Sequence, residues 1–72
     1  MADDHEQIIE TARRMASESP SGDVDGEDIA RECGREPDDA LVYDALKAAA
    51  DRGELACQGW RGEDGLPSRV RV

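Results

Sequence analysis

The sequence contains no phenylalanine, one tryptophan and one tyrosine among its 72 residues. A core without large aromatic rings must be built from aliphatic side chains, and the apolar residues are mainly alanine, valine, leucine and isoleucine. A chain of this size hides only about 60% of the surface that its unfolded form exposes, so these side chains must pack compactly. We therefore expect one domain spanning residues 1–72, with no room for a catalytic cleft between domains.

Side chains that bind metals or form disulfides are scarce. Cys33 and Cys57 are the only cysteines, they belong to no Cys-x-x-Cys pair, and His5 is the only histidine. Two thiols and one imidazole do not make a four-ligand zinc site, and a Ser-His-Asp or Cys-His constellation would have to recruit His5. We predict no metal, no cofactor and no enzymatic activity, and we expect both cysteines to act as small core side chains.

Long apolar runs are also missing. No segment approaches the roughly 20 apolar residues that a membrane-spanning helix needs. Residues 1–6 carry no basic stretch leading into an apolar run, as an export signal would. Since two cysteines far apart in sequence suit a reducing compartment, we predict a cytoplasmic protein with no membrane partner.

Acidic residues outnumber basic residues by two to one. The chain has 18 Asp and Glu against 9 Lys and Arg, a formal net charge of -9, and Lys47 is its only lysine. This excess of acid, with arginine in place of lysine, resembles the composition of proteins from salt-accumulating archaea. At about 1 M salt the Debye length is only ~3 Å, so repulsion between an acidic protein and phosphate is screened. At ordinary salt the same charge disfavours nucleic acid.

Apolar periodicity predicts three helices. Five apolar residues recur at intervals of three, four and seven over about residues 3–18, which predicts an amphipathic first helix. Asp25 is placed to cap a second helix of about residues 26–33, which Gly34 ends. Pro37 is a favourable first residue for a third helix that runs to about residue 52. Its expected core residues are Val42, Ala45, Leu46, Ala49 and Ala50.

The rest of the sequence indicates strands and turns. Val24 is expected to form a very short strand, and from residue 54 onward polar and apolar residues alternate, which predicts a carboxy-terminal hairpin. Residues 62–65 have the composition of a turn, with the favoured Asp-Gly pair at positions 64 and 65. Because proline cannot donate to a ladder, we expect Pro67 at an edge or a bulge. The predicted class is α+β, mainly α.

Three segments carry the clearest motif of the chain. They read Ile-Ala-Arg-Glu-Cys-Gly at 29–34, Val-Tyr-Asp-Ala-Leu at 42–46 and Arg-Gly-Glu-Leu at 52–55. In this order they resemble the winged helix-turn-helix superfamily, and 42–55 looks like the third helix and first wing strand of small prokaryotic transcription regulators. The resemblance implies a three-helix core with a C-terminal β-hairpin wing. It also implies a DNA-binding regulator of transcription, with a homodimer as the expected arrangement.

The residues expected to touch DNA or a partner lie on the third helix and the hairpin. They are Tyr43, Lys47, Trp60, Arg61, Arg69 and Arg71. The helical pair is four residues apart, and arginines on a wing are suited to phosphate contacts, which position a protein without reading sequence. The alternatives left open are a half-buried tyrosine with a solvated lysine, a tryptophan that closes one end of the core, and arginines that pair with nearby acids.

A competing hypothesis starts from acidic residues around the third helix. Glu36, Asp38, Asp39 and Asp44 occupy positions that usually carry Ser, Thr, Gln, Arg or Lys in DNA-binding relatives. An acidic third helix formed by Asp38, Asp39 and Asp44 would repel phosphate and attract a basic protein surface. This alternative predicts a winged-helix module for protein-protein interaction without DNA binding.

The loop at residues 21–26, followed by Glu32, partly matches the spacing of a calcium-binding EF-hand loop. Ser21 stands where the first aspartate ligand should be, and Asp28 occupies a position that is usually apolar. An acidic turn followed by a helix cap is therefore the favoured interpretation.

Overall fold

The computed structural model describes residues 4–63 and 65–72, which form three helices and a three-stranded antiparallel sheet. The elements, in chain order, are α1 Asp4–Glu18, β1 Asp23–Val24, α2 Gly26–Glu32, α3 Ala40–Asp51, β2 Ala56–Trp60 and β3 Pro67–Arg71. The fold is α+β with helices predominating, so the predicted class is confirmed. None of the described helices has the length and apolar character that crossing a membrane requires.

The core lies between the helices and one face of the sheet, and α1 contacts both other helices. Its buried side chains are Ile8, Ile9, Ala12, Ala16, Ile29, Ala30, Val42, Ala45, Leu46, Ala49, Leu55, Leu66 and Val70. The predicted apolar stripes of α1 and α3 are confirmed, except that Met15 and Ala50 are only half-buried. Alanines on both helices permit close packing, which is how a core without phenylalanine fills its volume.

Helix α2 begins as the sequence predicts. Asp25 has an extended backbone, and its side chain accepts a hydrogen bond of 2.9 Å from the backbone N–H of Glu27. This bond satisfies one of the amide groups that have no partner within the helix. The helix ends at Glu32 with Cys33 as its C-cap, and Gly34 follows.

The predicted start of α3 at Pro37 is wrong. The helix begins at Ala40, because the carboxylate of Asp39 accepts a hydrogen bond of 2.9 Å from the N–H of Leu41 and so acts as the N-cap. Residues 36–39 form a turn before the cap, closed by a hydrogen bond from Asp39 N–H to the carbonyl of Glu36. Pro37 and Asp38 therefore lie in the connection between helices, and the predicted end of the helix near Arg52 is confirmed.

The sheet has the strand order β1-β3-β2, so the last strand of the chain lies in the middle. The predicted hairpin is present, with Cys57 opposite Val70 and Trp60 opposite Pro67. Strand β3 as a whole is central rather than an edge strand. Because β1 ends at Val24, opposite Val70, β3 has only β2 beside it at the level of Pro67, which is the edge position expected for this proline. The missing N–H of proline therefore interrupts no ladder there.

Two predicted features fall outside the described residues. They are the start of the first helix at residue 3 and Asp64 in the hairpin turn. On either side of that turn, the N–H of Arg61 donates a hydrogen bond of 3.3 Å to the carbonyl of Leu66. The two strands are thus held in register up to the turn.

The amino end of α2 lies directly against β3. Gly26 is buried, and a Cβ atom built on it would lie 2.7 Å from the carbonyl oxygen of Pro67. A backbone oxygen cannot move aside as the tip of a flexible side chain can. Glycine at this position therefore sets how closely the helices approach the sheet.

Substituting Gly26→Ala is expected to lower the free energy of unfolding by about 1–3 kcal/mol, the usual cost of forcing extra volume into a packed contact. Urea unfolding monitored by circular dichroism measures the change. Ser17→Ala on the exposed side of α1 is the control and should leave the unfolding midpoint unchanged. Equal stability of the Gly26→Ala and control proteins would show that α2 does not press against β3 in solution.

Candidate functional site

The two aromatic residues of the chain lie together at the junction of α3 and β2. The ring centroids of Tyr43 and Trp60 are 5.6 Å apart with an interplanar angle of 70°, an edge-to-face arrangement. The ammonium group of Lys47 lies 5.6 Å from the centroid of the Trp60 ring, within the range of a cation–π interaction. These three residues are here called the aromatic cluster. Tyr43 and Lys47 were predicted as a pair on the third helix and Trp60 separately, and the fold brings all three together.

Local backbone geometry explains the aromatic cluster. One turn of α3 separates Tyr43 from Lys47, so both project from the same side of the helix. Gly59 has a φ of 70°, and a Cβ atom at this position would collide with the side chain of Ser68. Only glycine adopts this backbone conformation readily. Gly59 directly precedes Trp60, the residue of β2 whose ring contacts Tyr43 of α3. Both rings are half-buried against the core, whereas Lys47 is exposed.

Arg61, at the end of the hairpin, forms a bidentate ion pair with the N-cap residue of α2. Its Nη1 and Nη2 atoms donate hydrogen bonds of 2.9 Å and 2.7 Å to the two carboxylate oxygens of Asp25. Its Nη1 atom also lies 3.9 Å from the carboxylate of Glu27. For Arg61, the structure therefore agrees with the alternative in which the hairpin arginines pair with nearby acids.

This ion pair changes the titration of both partners. The hydrogen bond from Arg61 is the main cause that lowers the pKa of Asp25, and the N–H of Glu27 adds to it despite partial burial. The same bond raises the pKa of Arg61, which therefore keeps its charge at any physiological pH. Because 36 residues separate the partners, no local pattern predicts the contact beyond the expected role of Asp25 as a cap.

Arg69 and Arg71 lie on the face of the sheet that points away from the core. Along β3 they alternate with Val70, which is fully buried. Val70 pairs with Cys57, and the Sγ atom of Cys57 lies 3.9 Å from the carbonyl oxygen of Leu46 in α3. The helices therefore cover the opposite face, and both arginines are exposed on what we call the outward face.

Most of the arginines are neutralised by carboxylates within 4 Å. The six that are paired are Arg13, Arg14, Arg31, Arg35, Arg52 and Arg61. Within residues 4–63 and 65–72, Arg69 and Arg71 have no such partner, although acids outnumber bases by two to one in the chain. Positive charge that is free to meet an external anion is thus concentrated on the outward face.

The three acidic residues of the competing hypothesis have different roles in the structure. Asp39 caps α3 and accepts a hydrogen bond of 3.2 Å from Arg35, and the N–H of Leu41 is the main cause that lowers its pKa. Asp38 and Asp44 are exposed instead. With Ala40 and Tyr43 they line a shallow groove of about 350 Å³. Asp39 is thus part of the helix framework, and only the other two acids face solvent.

Chemistry that needs buried polar groups or metal ligands finds little support in the described part of the chain. No group of three or more His, Cys, Asp or Glu side chains there could hold a metal ion. Asp25, in the loop with calcium-like spacing, caps α2, and Ser21 donates a hydrogen bond of 2.9 Å to Asp23. Cys33 and Cys57 are half-buried against the core, and burial raises the pKa of the Cys57 thiol, which suppresses its thiolate.

Comparisons with protein-family models, with curated proteins and with solved structures find no match for this chain. The geometry and electrostatics of its own residues therefore carry the functional argument.

The ion pair between Asp25 and Arg61 predicts an acid-dependent loss of stability. The folded pKa of Asp25 lies below its ordinary value of 3.8. The ion pair therefore contributes its full stabilisation to the fold above pH 3.8, and this stabilisation is lost as the pH falls through the folded pKa. Asp25→Asn keeps a capping side chain and removes the charge, so it should be less stable than the original protein at pH 7, and by a smaller amount near pH 2. Asp25→Ala should lose a further ~1 kcal/mol at both pH values, because the cap is also removed.

Urea unfolding at the two pH values measures these differences. Glu10→Gln removes an exposed acid and reports the general effect of lowering the negative charge. If Asp25→Asn differs from the original protein by the same amount at both pH values, the ion pair does not stabilise the fold.

Proposed function

We propose that this chain is a winged helix-turn-helix domain that binds DNA and serves in transcription regulation, with a homodimer as the expected form. Support for the winged-helix arrangement comes from the order of elements, since three helices are followed by a hairpin and α3 leads into β2 through residues 52–55. The ion pair of Arg61 with Asp25 holds the hairpin against the amino end of α2. The hairpin is therefore part of the domain surface rather than a loose appendage.

The observation that carries the DNA-binding proposal is the pair of uncompensated arginines on the hairpin. Residues 1–53 contain 15 acids and 6 bases, whereas residues 54–72 contain three of each, so the hairpin is the least repulsive part of the chain for an anion. Arg69 and Arg71 supply guanidinium groups, whose planar donor geometry matches phosphate oxygens. Lys47, with no carboxylate within 4 Å in the described residues, adds a third cation on α3.

DNA binding is expected to be detectable once salt screens the net charge of -9. A mobility-shift assay with duplex DNA, run from about 0.1 M to multimolar potassium chloride, tests this. A shifted complex in any part of that range supports the proposal. Absence of a complex at every salt concentration, with the protein folded by circular dichroism, contradicts it.

A second candidate function is supported by the acidic groove at the start of α3. Asp38 and Asp44 flank the half-buried ring of Tyr43 in a depression of about 350 Å³. Carboxylates around an aromatic ring suit a basic side chain from a protein partner, through charge and cation–π attraction. In this function the domain is an interaction module and α3 binds protein rather than DNA.

Reversing the two charges with Asp38→Lys and Asp44→Lys is expected to abolish association with a basic partner while leaving the fold intact, since both residues are exposed. Binding to a labelled poly-arginine peptide, measured by fluorescence anisotropy, is the readout. Asp51→Lys with Glu10→Lys makes the same change in net charge away from the groove and serves as the control. If both double variants weaken binding equally, only net charge matters and the groove is not a site.

A further inference from the structure

We propose that the outward face of the sheet, rather than α3, is the surface that meets nucleic acid, and that it binds the phosphate backbone of a duplex without reading base sequence. This inference rests on the DNA-binding function proposed above and narrows it. It assigns contact to Arg69 and Arg71 and removes the exposed side of α3 from the interface.

The first argument is electrostatic. Six of the eight arginines are engaged by carboxylates, and the one closest to the hairpin turn, Arg61, is held by two hydrogen bonds to Asp25. A contact made by the tip of the hairpin would first have to break this bidentate pair. Arg69 and Arg71 need no such rearrangement, because no described carboxylate lies within 4 Å of either side chain.

The second argument concerns the neighbours of the two arginines on the outward face. Arg69 lies opposite Gln58 and Arg71 lies opposite Ala56, both exposed and uncharged. Asp23 is the one acid in register with this pair, opposite Arg71 on β1, and its carboxylate accepts a hydrogen bond from Ser21. On the β2 side, therefore, neutral side chains beside the arginines let a phosphate backbone approach the sheet closely.

The third argument is one of spacing. Residues two apart on a strand project from the same face about 6.8 Å from one another. Phosphates of one DNA strand advance about 3.4 Å along the helix axis at each step. Arg69 and Arg71 therefore leave the same face of one strand close enough together to engage phosphates of the same backbone.

The fourth argument is the direction in which the two candidate surfaces face. Helix α3 lies on the side of β2 that carries Cys57, because the Sγ atom of Cys57 contacts the carbonyl oxygen of Leu46 in α3. Arg69 and Arg71 project from the other side. The exposed residues of α3 include Asp44 and Asp51, which repel phosphate. Without an element in a groove, binding has phosphate contacts but no base contacts, and phosphate contacts alone carry no sequence information.

Fluorescence anisotropy with two short duplexes of unrelated sequence tests this, at the salt concentration where the original protein binds best. The two affinities are expected to agree within about threefold, as phosphate-only binding requires. The variant Arg69→Gln with Arg71→Gln is expected to bind both duplexes at least about tenfold more weakly, because two phosphate contacts are lost. Arg69→Lys with Arg71→Lys keeps the charge and should retain most of the affinity.

The matched control is Arg14→Gln with Arg31→Gln, which has the same net charge as the double glutamine variant but alters arginines of α1 and α2 that are paired with acids. It should bind like the original protein. Circular dichroism verifies the fold of each variant, and the single change Arg69→Gln, at an exposed position, provides a milder test of the same surface.

The possible failures are distinguishable. If the original protein binds neither duplex, the DNA-binding function itself is contradicted. If it prefers one duplex by about 100-fold, or if Lys47→Ala abolishes binding while the double glutamine variant binds normally, DNA binding stands and the outward face is wrong as its site. Competition by poly-glutamate as effective as that by DNA would assign the face to an acidic protein and would also overturn the inference.

Discussion

The bidentate ion pair between Arg61 and Asp25 connects the two parts of this small domain. Asp25 caps α2 through one oxygen and binds Arg61 through both, so a single carboxylate fixes the start of a helix and the end of the hairpin. The contact is partly exposed, and its worth lies as much in geometry as in energy. It holds the hairpin against the amino end of α2, while the burial of Val70 in the core decides which face of the sheet is left to solvent.

The excess of acid gives the remaining basic residues their significance. In a chain with 18 acids and 9 bases, a guanidinium group readily finds an internal carboxylate, and six of the eight arginines do so. Most of the positive charge therefore cancels negative charge within the domain. Arg69 and Arg71 remain available because alternation along β3 directs them away from the helices that carry most of the acids. This distribution connects the architecture to the proposed binding of an anionic polymer.

Much of the fold could be predicted because local patterns determine it. The stripe of α1, the cap at Asp25 and the alternation of β3 each reflect interactions within a few residues. The start of α3 was missed because Pro37 and Asp39 both favour a helix start, and the hydrogen bond of Asp39 to Leu41 decided between them. The central place of β3 depends on its pairing with β1, more than 40 residues away in sequence, which no local pattern reports.

For the candidate site, the sequence predicts which residues take part but not how they are arranged. Spacing of four residues placed Tyr43 and Lys47 on one side of a helix, but the contact of both with Trp60 depends on how β2 runs past α3. Likewise the pairing of Arg61 and the free state of Arg69 follow from the tertiary arrangement of side chains distant in sequence. The fold thus divides six predicted contact residues into an aromatic cluster, an internal ion pair and an outward basic pair.

Nuclear magnetic resonance of the labelled protein during titration with a duplex tests the central claim most directly, because each backbone amide reports on its own surroundings. The account predicts that amide resonances of Ala56, Gln58, Arg69 and Arg71 shift with increasing duplex, while those of the exposed side of α3, such as Asp44 and Lys47, stay in place. Shifts concentrated on α3, with the outward face of the sheet unchanged, would contradict it.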